Sequence, residues 1–99
     1  MLDINITKSG DKATIKLIGR LDTNSSPSLE EKLNSLYTSQ TIIFDLEELE
    51  YVSSSGLRLF LLSKKRVKDT RIINVSDYVM EIFEATGFTL VMDIKKNEI

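Results

Sequence analysis

Ser53-Ser54-Ser55-Gly56 stands between the acidic stretch Asp45 to Tyr51 and a leucine-rich run that begins at Leu57. Hydroxyls where a helix begins lie among N–H groups without intrahelical partners, at the positive end of the helix dipole, where an anion is stabilised. A single serine there can act as a cap worth on the order of 1 kcal/mol; Ser54 and Ser55 both qualify. Gly56 asks for a further reason, because glycine inside a helix costs roughly 0.5–1 kcal/mol relative to alanine. Close approach of another backbone or of a phosphate would supply one. The other chemical candidate is Asp22, in Gly19-Arg20-Leu21-Asp22. Alone it fits a polar turn before a helix; with Asp45 it would form a carboxylate pair. Thr23 and Asn24 share its loop and are candidates to line a partner surface.

Much chemistry is excluded by composition. The 99 residues contain no cysteine and no histidine, which removes disulfides, thiolate nucleophiles, conventional zinc or haem sites and serine-histidine-aspartate catalysis. Thirteen basic against 15 acidic residues leave a net charge of −2, a poor match to nucleic acid, which needs a clustered basic face. The run Lys64 to Lys68 complements a helix C-terminus. Glu47, Glu48 and Glu50 lack the glycine and spacing of a calcium loop, so no metal is expected. The N-terminus has no basic start and apolar run of a signal peptide, and Leu57 to Ser63 is far too short to span a membrane. These features predict a cytoplasmic protein.

Hydropathy patterning gives the elements that must position the serines and Asp22. Leu2 to Thr7 alternates as a half-buried strand, Lys8 to Asp11 turns, and Ala13, Ile15 and Leu17 mark a second strand ending near Gly19, together an antiparallel hairpin. A helix starts at Ser26-Pro27, or at Ser28 with Glu31 as a capping box, and carries Leu29, Leu33, Leu36 and Tyr37 on one stripe. Thr41 to Leu46, nearly continuous in apolar character, predicts a central strand covered on both faces, and Glu47 to Val52 a loop. The serine run opens a second helix to about Val67, with Leu57, Leu59, Phe60, Leu61 and Leu62 on its apolar face. Arg71 to Val75 is a strand. Ser76 and Asp77 cap a third helix, which carries Val79, Met80, Ile82 and Phe83 and is closed by Gly87. Phe88 to Ile94 is the last strand, and Lys95 to Ile99 a frayed tail. The order β-β-α-β-α-β-α-β predicts one α/β domain over residues 1–99, with a mostly parallel sheet and an antiparallel first strand. The serine loop then lies beyond the C-terminal end of a parallel strand, where such sheets place their sites.

Gly19-Arg20-Leu21-Asp22, together with the stretch from Asp45-Leu46 through Leu49 and Val52 to Ser53-Ser54-Ser55-Gly56-Leu57, resembles the anti-sigma factor antagonist family, the STAS domain proteins. That family carries a G-x-L-D element after the second strand and a D-L-x-x-(L/V)-x-x-(V/I/M)-D-S-S-G-L element leading into the second helix. The resemblance implies that Ser55, the serine before the glycine, accepts a phosphoryl group from an anti-sigma factor that is also a serine kinase. It implies that the unmodified protein binds that kinase and frees a sigma factor, that phosphorylation blocks binding, and that a serine phosphatase restores it. Asp22, Asn24, Ser54, Ser55, Gly56 and Leu57 become the partner-binding residues. ATP belongs to the partner, since this chain has no phosphate-cradling glycine loop, and the domain is expected to be monomeric alone. Many family members have aspartate where this chain has Ser53, so a negative charge beside the acceptor is missing. Ser54 and then Ser53 stay as alternative acceptors. The departure also motivates a second expectation, an unmodified scaffold subunit in a sensory or transporter-associated complex. A third, from a different class, is an enzyme using Asp22 and Asp45.

Overall fold

In β1 (Leu2–Ser9) and β2 (Lys12–Leu21) the alternation of the sequence becomes a ladder: Ala13, Ile15 and Leu17 are fully buried and the residues between them are not. The computed structural model describes residues 1–96. Beyond the hairpin come α1 (Ser26–Asn34), β3 (Thr41–Val52), α2 (Ser54–Arg66), β4 (Asp69–Ile73), α3 (Asp77–Ala85), a 3₁₀ turn (Phe88–Leu90) and β5 (Asp93–Ile94). The sheet has the order β1-β2-β3-β4-β5. Its first pair is antiparallel and the other three pairs are parallel, as the element order predicted.

Sequential order with right-handed crossovers places all three helices on one face. Ile42, Phe44 and Leu46 of β3 enter the core on that face with Leu29, Leu33, Leu59, Phe60, Val79 and Phe83 from the helices. Ile43 stands outside this core, in register between Thr14 and Arg71. Ile43 is nevertheless only 8 % exposed, so Ile42 to Phe44 is buried on both faces as expected, although helices cover only one of them. The face without helices is mixed, with Ile43 buried in it and Lys16 and Glu48 2.8 Å apart. Phe60 joins the layers: its ring lies 4.8 Å from Phe44, 6.4 Å from Phe83 and 6.2 Å from Phe88 between centroids.

Several elements depart from the sequence expectation. The segment from Glu47 to Val52 is strand, not loop, because the β2–β3 ladder continues to Leu21 opposite Val52. Two register shifts, at Lys16/Ile18 and Gly19/Arg20, interrupt it. They turn the buried spacing from two into three, through Leu46, Leu49 and Val52. Gly19, at φ +106°, sits at the second shift, and a Cβ there would collide with the Met1 carbonyl oxygen. Helix α1 begins at Ser26 after Ser25, with Pro27 in its first turn, and ends at Asn34, so Leu36 and Tyr37 fall in the turns that follow it. Leu61 of α2 is 39 % exposed, and the inward stripe is Gly56, Leu59, Phe60 and Ser63. Ser76 caps α3 as expected, its hydroxyl accepting from the Val79 N–H at 3.3 Å.

The expected final strand begins as a 3₁₀ turn. Gly87, left-handed at φ +76°, ends α3, and Phe88 folds back into the aromatic cluster. Leu90 is 87 % exposed, and strand pairing is left to Asp93 and Ile94. The tail expected to fray is held at its start: the Lys95 N–H donates to Ile72 O at 2.9 Å, and Lys96 Nζ lies 2.6 Å from Asp77 Oδ1. The rest of that tail, 97–99, lies outside the described residues.

Candidate functional site

Leu21 opposite Val52 is the last β2–β3 pair, and the Leu21 carbonyl then accepts from the Ser53 N–H at 2.9 Å. This bond makes the loop after β2 and the start of α2 leave the sheet side by side. In the first loop Asp22 folds the chain onto itself. Its Oδ1 accepts from the N–H groups of Asn24 and Ser25, each at 3.0 Å. The Ser25 hydroxyl accepts from the Asp22 N–H at 2.9 Å and donates to Arg20 O at 2.8 Å. The Ser25 N–H, above all, holds the Asp22 carboxyl below the ordinary carboxylate range; burial opposes this, and the Ser25 hydroxyl and Asn24 N–H reinforce it. Asp22 is thus an ionised structural centre that leaves Thr23 and Asn24 exposed at the loop tip.

Ser53, rather than Ser54 or Ser55, takes the cap position of α2. Its extended backbone (ψ 174°) and its bond to Leu21 start the helix one residue earlier than expected, and its carbonyl accepts from the Leu57 N–H at 3.0 Å. The Ser53 side chain gives no capping bond; its hydroxyl is buried without a hydrogen-bond partner. Ser54 is exposed and Ser55 half-buried. The Ser55 Oγ faces solvent 3.5 Å from Thr23 Oγ1. Gly56 beneath is buried, and a Cβ on it would lie 2.7 Å from Leu21 Cγ and from Val52 Cγ2. The close approach that Gly56 permits is by side chains of the last strand pair, not by a backbone or a phosphate. Leu57 is half-buried against the core.

The structure thus brings Asp22, Thr23, Asn24, Ser54 and Ser55 to one end of the sheet. Asp45 is not among them. It lies opposite Lys16, six residues before Asp22 in the ladder, which is roughly 20 Å at about 3.3 Å per residue. It accepts from the Glu47 N–H and the Asn74 side-chain amide. The two acids do not form a pair, and the carboxylate enzyme has no site. Two charged residues beside the serines were not singled out from sequence: Arg58 on α2 and Glu30 on α1, 3.5 Å apart. The i+3 spacing from Ser55 was visible for Arg58, whereas Glu30 arrives only through packing of α1 on α2.

The sequence model of the STAS domain matches residues 3–98. The chain belongs to the STAS domain family of anti-sigma factor antagonists. It is 33 % identical to an anti-sigma-B factor antagonist of Staphylococcus aureus, over 96 % of this chain and 94 % of the relative. Among solved structures, an anti-sigma factor antagonist from Mycobacterium paratuberculosis superposes with a TM-score of 0.86 at 14 % identity, covering 96 % of this chain and 86 % of the other. The Bacillus cell fate determinant SpoIIAA in its phosphorylated form does so with 0.72 at 22 % identity, covering 93 % and 90 %. At these identities the structures establish the fold. In this STAS domain the loop after β2 and the N-terminus of α2 form one polar surface. Among the described residues no helix is long and apolar enough to cross a membrane.

Proposed function

We propose that this STAS domain is a phosphorylation-switched binding module that sequesters an anti-sigma factor with serine kinase activity and so releases a sigma factor for transcription. The observation that carries the reading is the Ser55 hydroxyl, open to solvent at the N-terminus of α2 beside Thr23. Ser55 Oγ takes the γ-phosphoryl group of ATP held by the kinase. A new O–P bond forms, ADP leaves, and the hydroxyl proton passes to the kinase or to water. A serine phosphatase reverses this by hydrolysis. The added charge of about −1.5 to −2 sits where a helix N-terminus tolerates it. A partner docked on Asp22, Asn24, Ser54, Ser55 and Leu57 would face like-charge and desolvation costs of several kcal/mol. About 2.8 kcal/mol is already a hundredfold in affinity. The domain acts in the cytoplasm, by binding, without a cofactor of its own.

Titration calorimetry against the kinase tests this. Ser55→Asp is expected to weaken binding at least ~100-fold, and Ser55→Ala to keep the affinity of the unmodified parent even with ATP present, where the parent itself loses binding. Equal binding by all three proteins with ATP present would sink the switch. A second reading, the unmodified scaffold of a larger complex, is favoured by Ser53, whose hydroxyl occupies the place of an aspartate common in the family. Mass spectrometry after incubation with kinase and ATP separates the two: a chain that gains no phosphate is the scaffold.

A further inference from the structure

We propose that Arg58 is the residue that grips the phosphate once Ser55 is modified, and that it leaves Glu30 to do so. The inference rests on the assignment of Ser55 as acceptor made above. Arg58 follows Ser55 by three residues and Ser54 by four on α2, spacings that bring Cβ atoms to about 5–6 Å on one helix face. Helical side chains lean toward the N-terminus of their helix, so the Arg58 stem runs back over the turn that carries both serines.

The guanidinium is available. The Arg58 side chain is 62 % exposed, and its one partner among the described residues is Glu30 Oε1, at 3.5 Å from Nη2, on a side chain itself 43 % exposed. A single long contact between two exposed groups contributes little and is readily exchanged. A phosphomonoester offers three oxygens and nearly two charges, the acceptor that a guanidinium meets with two parallel hydrogen bonds. No acidic side chain in the first turn of α2 competes for Arg58. Other cations are worse placed. Arg20 lies over the Tyr51 ring at 4.5 Å and beside Asp22 at 4.0 Å. Lys64, Lys65 and Arg66 occupy the last turn of α2, roughly 13 Å or more from Ser55 along the axis at 1.5 Å per residue.

The exchange also changes what a partner meets. In the unmodified protein the charges of Glu30 and Arg58 offset each other across 3.5 Å. After modification Arg58 is turned onto the phosphate, Glu30 is released, and the phosphate adds about −1.5 to −2. A partner that meets Arg58 with an acidic group loses that contact as it gains the repulsion.

The test uses the full chain with phosphoserine installed at position 55 during translation, so that no kinase is needed. The phosphate is followed by ³¹P NMR through a pH titration. In the parent its second pKa is expected below the ordinary value of about 6. It should rise by ~0.5 unit or more in Arg58→Gln, with Arg58→Lys in between, because removing a paired cation disfavours the dianion. Superimposable curves for the parent and Arg58→Gln would overturn the proposal. The acceptor assignment fails separately, if the kinase places no phosphate on Ser55 of the unmodified chain.

Discussion

Gly56 shows how tightly the site is tied to the core. The glycine lies against Leu21 and Val52, the side chains that close the β2–β3 ladder. Gly56→Ala puts a methyl group 2.7 Å from both, and overpacking of this kind costs about 1–3 kcal/mol. Urea denaturation should show that loss, and Leu21→Ala in the same chain should make the pair of changes less than additive. Asp22 is the other residue on which the surface depends. Its folded pKa lies below the ordinary 3.8, chiefly through the Ser25 N–H. A depressed carboxylate stabilises fully above its unfolded pKa, and that contribution is lost as pH falls through the lower folded value. Asp22→Asn keeps an accepting oxygen for the turn but cannot titrate. Its stability should therefore fall less steeply below about pH 4 than that of the parent, as followed by circular dichroism.

Among the elements, α2 carries two duties on opposite sides. Its outer start presents Ser54, Ser55 and Arg58, and its inner stripe inserts Phe60 among Phe44, Phe83 and Phe88. Phe60→Ala empties the junction of β3, α2, α3 and the 3₁₀ turn and is expected to cost about 3–5 kcal/mol. Leu90→Ser, on a side chain 87 % exposed, should stay within about 0.5 kcal/mol of the parent. Chemical denaturation of both checks the packing. Two near-equal losses would mean that the chain after Gly87 packs as the strand expected from its sequence.

For the whole molecule, the arrangement separates stability from signalling. Parallel β2 and β3 end together, and their joint end, not the core, carries the acceptor hydroxyl. A charge placed there meets solvent and the positive end of α2. Ser55→Asp should thus leave the folding free energy within about 0.5 kcal/mol of the parent. Measured in the same preparation, an intact urea midpoint with lost kinase binding would show that the effect is local. A large shift in the midpoint would place Ser55 in the packing instead.

Local sequence was enough for the hairpin, the three helices, the parallel sheet and the position of the serine run at a strand end. Alternation, helical spacing, Pro27 and Ser76 act within a few residues of where they stand. It was not enough for the second half of β3, because two register shifts against β2 change which residues are buried. Nor did it show that the chain after Gly87 first turns as 3₁₀, since the pull on Phe88 comes from Phe60 and Phe83. Ser53 as cap, Leu21 and Val52 as the neighbours of Gly56, and Glu30 beside Arg58 were likewise settled only in three dimensions. Each depends on groups far apart in the chain, 28 residues for Glu30 and Arg58 and 35 for Leu21 and Gly56, and periodicity holds no information about which distant side chain will arrive.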